Sequence, residues 1–434
     1  MDKYSAACPI PKTPEDTEVM AFFQPVLAMD TRQIMGYEVL GRRQTDSGYE
    51  SLGPFFTDAR VPLEEQLRID RLVREQALAA LAGCADQTRL FINLKPSWMY
   101  RSYQETGELL TLQLLNKYKI DPSRIIVEVT EEAFRGSMES LRAVIDVYRQ
   151  HGCQIAIDDI GTGFSSADRI AQLGPSLLKV DIHMMKQSAS HRGYFGVLRS
   201  FSTLAEQIGA SLLIEGVETR ADLQRAIEIG ARHVQGYLFS QAEPVFQAAD
   251  AYLPLVEQEL EAHRVRRIDE ERQWRALADE QSAVLAETGR KLEDAILPEQ
   301  VDSGIASILH LLHERCIRVY VCEENGRQLS SNHVRLYPSE GGHDLSPSES
   351  AGDSAARCPA QPGGWEMQTE YRGSNWSWRP YFVSNLLSME DCSGSRISRT
   401  YTDLETQQRI RTLSIRAPRN RVLFLDLVDP LDWV

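Results

Sequence analysis

Residues 153–166 read CQIAIDDIGTGFSS. Cys153–Ile157 is almost continuously apolar, ends on the adjacent pair Asp158 and Asp159, and runs into a Gly-Thr-Gly stretch. An apolar run without polar alternation predicts a strand buried on both faces, as in a parallel sheet. The same shape recurs on both sides of it: QIMGYEV (33–39) with Glu38, RLFINL (89–94) with Asn93, RIIVEV (124–129) with Glu128, LLKVD (177–181) with Lys179 and Asp181, SLLIEG (211–216) with Glu215, and HVQGYLF (233–239) with Gln235. Between the runs, stretches such as LRAVIDVYRQHG (141–152) and YFGVLRSFSTLAEQIG (194–209) carry apolar residues at intervals of three and four, which predicts helices. Strand–helix units in this number predict an α/β fold, a closed (β/α)8 TIM-like barrel, with its site at the C-terminal ends of the strands.

The polar residues sit at those ends. Glu38, Asn93, Glu128, Asp158 and Asp159 are expected to converge on one mouth as an all-oxygen cluster, which suits Mg²⁺ or Mn²⁺. Neighbouring residues diverge at a strand end, so the Asp158–Asp159 pair is expected to reach or bridge two metals, an arrangement that stabilises attacking and leaving oxygens in phosphodiester hydrolysis. Lys179 is a candidate to orient or help deprotonate the attacking water, or to balance charge on the phosphorane. Glu215 is placed to complete the metal set or hold a water, Glu218 to brace a neighbouring loop, and Gly161, Thr162 and Gly163 to form a flexible catalytic loop. Acidic residues at strand ends also cap the following helix. That reading serves any one position, but not a ring that also supplies a lysine, an asparagine and a glutamine. Nine scattered histidines without HExxH argue against zinc, and His310 and His313 read as packing or surface.

A formal net charge of −15 makes the chain a poor binder of nucleic acid, so an anionic ligand would need bound cations. Seven cysteines, an odd number with no CxxC pair, suit reduced thiols and a cytoplasmic setting. The N-terminal stretch lacks the apolar core of a signal peptide, and no apolar run is long enough for a membrane span.

The segments FFQPV, GYEVLGR, FINL, VEVTEE, IDDIGTGFSS, LLKVD, IEGVET and QGYLFS, in this order, resemble the EAL family of cyclic di-GMP phosphodiesterases. The resemblance covers about residues 18–245. It implies a modified (β/α)8 barrel, divalent metal, and hydrolysis of cyclic di-GMP to linear pGpG. By the same resemblance Glu38 is the glutamate of the naming motif, and Asn93, Glu128, Asp158 and Asp159 match metal ligands. Lys179, Glu215 and Gln235 match active-site residues, Glu218 the loop-bracing glutamate, and Gln24, Arg42 and Asp181 substrate contacts. Val39 replaces Ala, Ile160 replaces Phe, Phe164 replaces Tyr, and the proline after QGYLFS is displaced to Pro244. Gly41 stands where the family usually has Leu, which removes an apolar contact expected to reach a base.

The expected domains are the barrel at 18–250, a helical connector at 251–298, and a smaller α+β domain at 299–434. The charge-dense stretch 257–281 reads as a solvated bridging helix ended by Pro298, and the Ser-, Gly- and Pro-rich stretch 338–364 as a loop. The segments VYVCEENGRQLSSN, NWSWRPYF and SRTYTDLETQQRIRTLSI resemble the EAL-associated C-terminal domain of the YkuI type, which implies a PAS- or Cache-like sensor. Trp376 and Trp378, two apart on an expected strand, with Arg379 and Tyr381, are the candidate pocket for an unknown small ligand, aromatic walls with one cation for a carboxylate. The family resemblance also implies a homodimer. Two rival readings are a cyclic di-GMP receptor that signals by conformation without useful turnover, and an interaction scaffold.

Overall fold

Only residues 29–32 separate strand β1 (Val19–Ala28) from β2 (Gln33–Thr45), and Arg32 takes φ 60° in that turn. So short a link cannot hold a crossover helix, so the two strands pair antiparallel along nearly their whole length, Val19 against Arg43 through Ala28 against Gln33. In the computed structural model, which describes residues 12–84, 87–129, 137–161, 167–189, 191–336, 364–390 and 394–429, β1 runs antiparallel to both its barrel neighbours, β2 and the last barrel strand, in an otherwise parallel ring. Strands β4 (Arg89–Leu94), β5 (Ile125–Val129), β6 (Gln154–Ile160), β7 (Leu177–Val180), β8 (Ser211–Ile214) and β9 (His233–Gln235) follow β2 in parallel, and β9 closes the ring on β1. The short β3 (Gly48–Ser51) extends β2 as a hairpin beyond the barrel rim. The expected runs thus all become barrel strands. Helices such as Leu63–Ala82, Met138–Gln150 and Arg192–Ile208 fill the crossovers and bury apolar stripes against them.

Contacts divide the chain into two compact units, Met1–Arg266 and Arg267–Val434. The second unit is an antiparallel sheet in the order β12 (Trp365–Gln368), β11 (Asn332–Arg335), β10 (Cys316–Glu323), β16 (Arg421–Val428), β15 (Arg409–Ala417), β13 (Ser395–Ile397), with β14 (Tyr401–Thr402) also on β15. Among the described residues no helix is long and apolar enough to cross a membrane.

Three local expectations need correction. The long helix Leu253–Lys291 is not simply solvated: its C-terminal half buries Trp274, Leu277, Ala278 and Leu285 in the core of the second unit, and Gln281 there receives the His313 amide at 3.0 Å. Pro298 does not end that helix but opens the next one, Pro298–Ala306, where its missing N–H costs nothing. Trp376 and Trp378 lie on a turn, not a strand, because the chain there wraps over Gly326 (Trp376 N to Gly326 O, 2.9 Å). The stretch 338–364 falls outside the described residues except for Gly364.

Candidate active site

The parallel register sets Glu38 beside Phe91, Asn93 beside Glu128, and Lys179 beside Leu213, so the strand-end side chains enter the same end of the barrel. Glu38 is held from both sides, by Asn93 Nδ2 at 2.9 Å and by Gln235 Nε2 at 2.7 Å. This tie across β9, β2 and β4 fixes its carboxylate before any ligand arrives, and sequence spacing carries no signal for it.

The Asp158–Asp159 pair works differently from expectation. Strand β6 slips register against β7 between Ile157 and Ile160, and Asp159 takes φ 56°. This bulge turns consecutive side chains toward one place instead of opposite faces. Asp158, Asp159 and Glu215 consequently offer oxygens that all lie within 4.8 Å of one another. Glu215 is thus the third carboxylate of this cluster.

Lys179 sits among them, 1 % exposed, with Nζ 2.6 Å from Glu215 Oε1, 2.7 Å from Glu128 Oε1, 3.2 Å from Asp158 Oδ1 and 4.0 Å from Glu38 Oε2. Burial alone would lower its pKa, but the fields of Asp158, Glu128, Glu215 and Glu38 outweigh burial and hold the ammonium well above its usual range. Its Nζ is an ammonium ringed by carboxylates. Burial pushes Glu128 well up despite Lys179, with Glu38 and Asp158 adding repulsion. Glu215 is pushed up to about 8, again mainly by burial.

Does this site fit divalent metal? Five carboxylates surround one ammonium, an excess of acidic groups that divalent cations would neutralise. Every donor offered is oxygen, and Glu128 Oε2 and Gln235 Oε1 are buried without a hydrogen bond. The residues fit such a group.

Around the ring, Gln24 lies opposite Glu38 in the hairpin and donates Nε2 to Ser240 O at 3.3 Å. Arg42 is half-buried at the rim, its guanidinium 5.9 Å over the Phe22 ring. Asp181 caps the helix Ile182–Ser188 through His183 N at 2.6 Å, so one of its oxygens is committed to the backbone. Glu218 pairs with Lys186 of that helix at 3.0 Å, a partner the sequence did not suggest. Gly161 has φ 104°, and a Cβ there would stand 1.8 Å from Met184 Sδ, so the position requires glycine. Thr162 and Gly163 lie outside the described residues. At Gly41 a Cβ would meet Leu52 and Val73 at 3.1 and 3.3 Å, so this position faces helix packing rather than a ligand base, contrary to expectation. In the second unit, Trp376, Arg379 and Tyr381 line one cavity, whereas Trp378 is 64 % exposed and not part of its wall.

A barrel closed by one antiparallel hairpin, with a lysine inside a ring of strand-end carboxylates, defines a class of acidic-mouthed α/β barrels. The EAL domain matches residues 9–242, and the EAL-domain associated signalling protein domain matches residues 348–430. The chain belongs to the EAL-domain family. It is 32% identical over 416 residues to the EAL-domain containing protein YkuI of Bacillus subtilis, covering 94% of each chain. The crystal structure of that protein in complex with substrate c-di-GMP and calcium has a TM-score of 0.81 to this one at 32% identity, over 96% of this chain and 98% of that one. The cyclic di-GMP phosphodiesterase RocR of Pseudomonas aeruginosa is 30% identical over 237 residues, 53% of this chain and 59% of the relative.

Proposed function

We propose that the barrel is a divalent-metal-dependent phosphodiesterase that opens one phosphodiester bond of cyclic di-GMP to give linear pGpG. The observation that carries this reading is the convergence of Asp158, Asp159 and Glu215 beside a Glu38 already clamped by Asn93 and Gln235. Relatives named as cyclic di-GMP phosphodiesterases and a relative solved with c-di-GMP support the substrate.

Glu38, Asn93, Glu128, Asp158 and Asp159 would hold the cations, two Mg²⁺ or Mn²⁺ per site, with Glu215 completing the set. Bound there, such cations supply a water of lowered pKa and neutralise phosphate charge. The protein's own part is orientation and charge. Lys179 stays cationic inside the ring and faces the negative charge that grows on the phosphoryl oxygens. Gln235 and Asn93 hold Glu38 in one rotamer. Gln24 and Arg42 at the rim, with the free oxygen of Asp181, meet the dinucleotide, the guanidinium serving phosphate oxygens or guanine edges. Glu218, through Lys186, and Gly161, against Met184, stiffen the loops that frame the mouth.

The second unit is read as the regulatory partner, a PAS- or Cache-like sensor, and the chain as a homodimer. Among the described residues Cys153, Cys316 and Cys322 are buried thiols outside any disulfide, which supports a reducing, cytoplasmic setting. The test is Glu38→Ala in full-length protein with Mg²⁺ or Mn²⁺, followed by chromatography of pGpG. Turnover falls by about 10²–10⁴-fold while folding is kept; unchanged turnover removes Glu38 from the mechanism.

A further inference from the structure

In the second unit a cavity of ≈ 90 Å³ lies beside Trp376, Arg379, Tyr381 and Tyr401. At roughly 10–15 Å³ for one water, it holds about six to nine non-hydrogen atoms. Two cations stand on its wall, and their situations are opposite. Arg318 is fully used: Asp403, Glu405 and Asp426 take its guanidinium at 2.6, 2.6 and 2.8 Å. Arg379 has no acidic partner among the described residues; its neighbours are rings, with the guanidinium carbon 5.3 Å from the Trp378 centroid, 5.4 Å from Tyr401 and 5.9 Å from Tyr381. Its Nε is buried and donates no hydrogen bond, a group that costs free energy until an acceptor arrives.

The rest of the wall is already satisfied. Tyr320 and Tyr381 hydroxyls bond each other at 2.8 Å, Tyr401 bonds Thr412 at 2.6 Å, and Trp376 Nε1 bonds Gln328 at 2.6 Å. The Tyr381 and Tyr401 hydroxyls also stand against the Arg379 guanidinium, so the wall offers ring faces beside a cation held by neutral groups. Arg379 also directly precedes the helix Pro380–Glu390, whose N-terminal end favours negative charge. Among the described residues of the wall, Asp403, Glu405 and Asp426 are each engaged by Arg318, so a second anionic group on the guest would meet no uncommitted cation.

We propose that this cavity binds a small monocarboxylate, with the carboxylate on Arg379 and the apolar body between the ring faces. This goes beyond the phosphodiesterase reading and stands without it, since binding is measured with no cyclic di-GMP present. Full-length protein is titrated by calorimetry with isovalerate and with pyruvate, and with tetramethylammonium, succinate and inorganic phosphate as comparisons. The expected result is saturable one-to-one binding of at least one monocarboxylate, at least ten-fold tighter than succinate or phosphate, weakened ten-fold or more by Arg379→Gln and less by Arg379→Lys. Should Arg379→Gln fail to fold, the order of affinities in the wild type still decides. No heat with either monocarboxylate, preference for tetramethylammonium, equal affinity for all the anions, or unchanged binding by a folded Arg379→Gln overturns the proposal.

Discussion

Gly161 shows how a single residue frames the mouth. Its φ of 104° and the Met184 side chain in the place of a Cβ both forbid a larger residue. Gly161→Ala therefore costs about 1–3 kcal/mol. Gly107, with φ 69° and open space around it, isolates the backbone share of that cost. Urea midpoints of the two alanine variants should differ, with Gly161→Ala the lower; equal midpoints would remove Met184 from the account. At this scale much of the site was legible. Carboxylates at the ends of apolar runs are visible in sequence because strand ends are punctuated by polarity. What sequence hid was orientation: the bulge at Asp159 depends on how β6 registers against β7, and Gly41 faces Leu52, brought beside it by the β2–β3 hairpin, and Val73, brought there by the packing of the helix Leu63–Ala82.

Among elements, β9 carries a titration that the fold imposes. His233, 5 % exposed, pairs with Ala28 of β1 and Leu213 of β8, and burial first, with Arg232 adding, lowers its pKa from 6.5 to about 4. Above pH 6.5 neither folded nor unfolded chain protonates it. As pH falls from 6.5 toward about 4 the unfolded chain binds a proton that the fold refuses, so stability declines by about 3 kcal/mol and then levels off. His233→Asn should flatten that part of the difference curve, measured by urea unfolding from pH 7 to 4; parallel curves would contradict the burial argument. In the second unit, Arg318 joins β10 to β16 and to Asp403 and Glu405. Arg318→Met leaves three carboxylates uncompensated and should destabilise this unit by about 3–5 kcal/mol, read as a lower melting temperature. The antiparallel β1–β2 pairing was the element least visible in sequence. Its apolar runs look like those of parallel strands, and only the short link at 29–32 gives the direction away.

For the molecule as a whole, the barrel was readable because strand–helix alternation repeats, whereas the second unit had no repeat to follow. Its buried arginine network and the burial of Trp274 on the long helix arise from contacts between segments distant in sequence. The central claim is metal-dependent turnover. Metal-free full-length protein is incubated with cyclic di-GMP, and Mg²⁺, Mn²⁺ or Ca²⁺ is then added while pGpG is followed by chromatography. No product is expected without metal, product with Mg²⁺ or Mn²⁺, and inhibition by Ca²⁺, whose larger and more flexible coordination suits the carboxylate ring poorly. Dinucleotide that is bound but still intact after hours with Mg²⁺ or Mn²⁺ would contradict it and make the barrel a receptor.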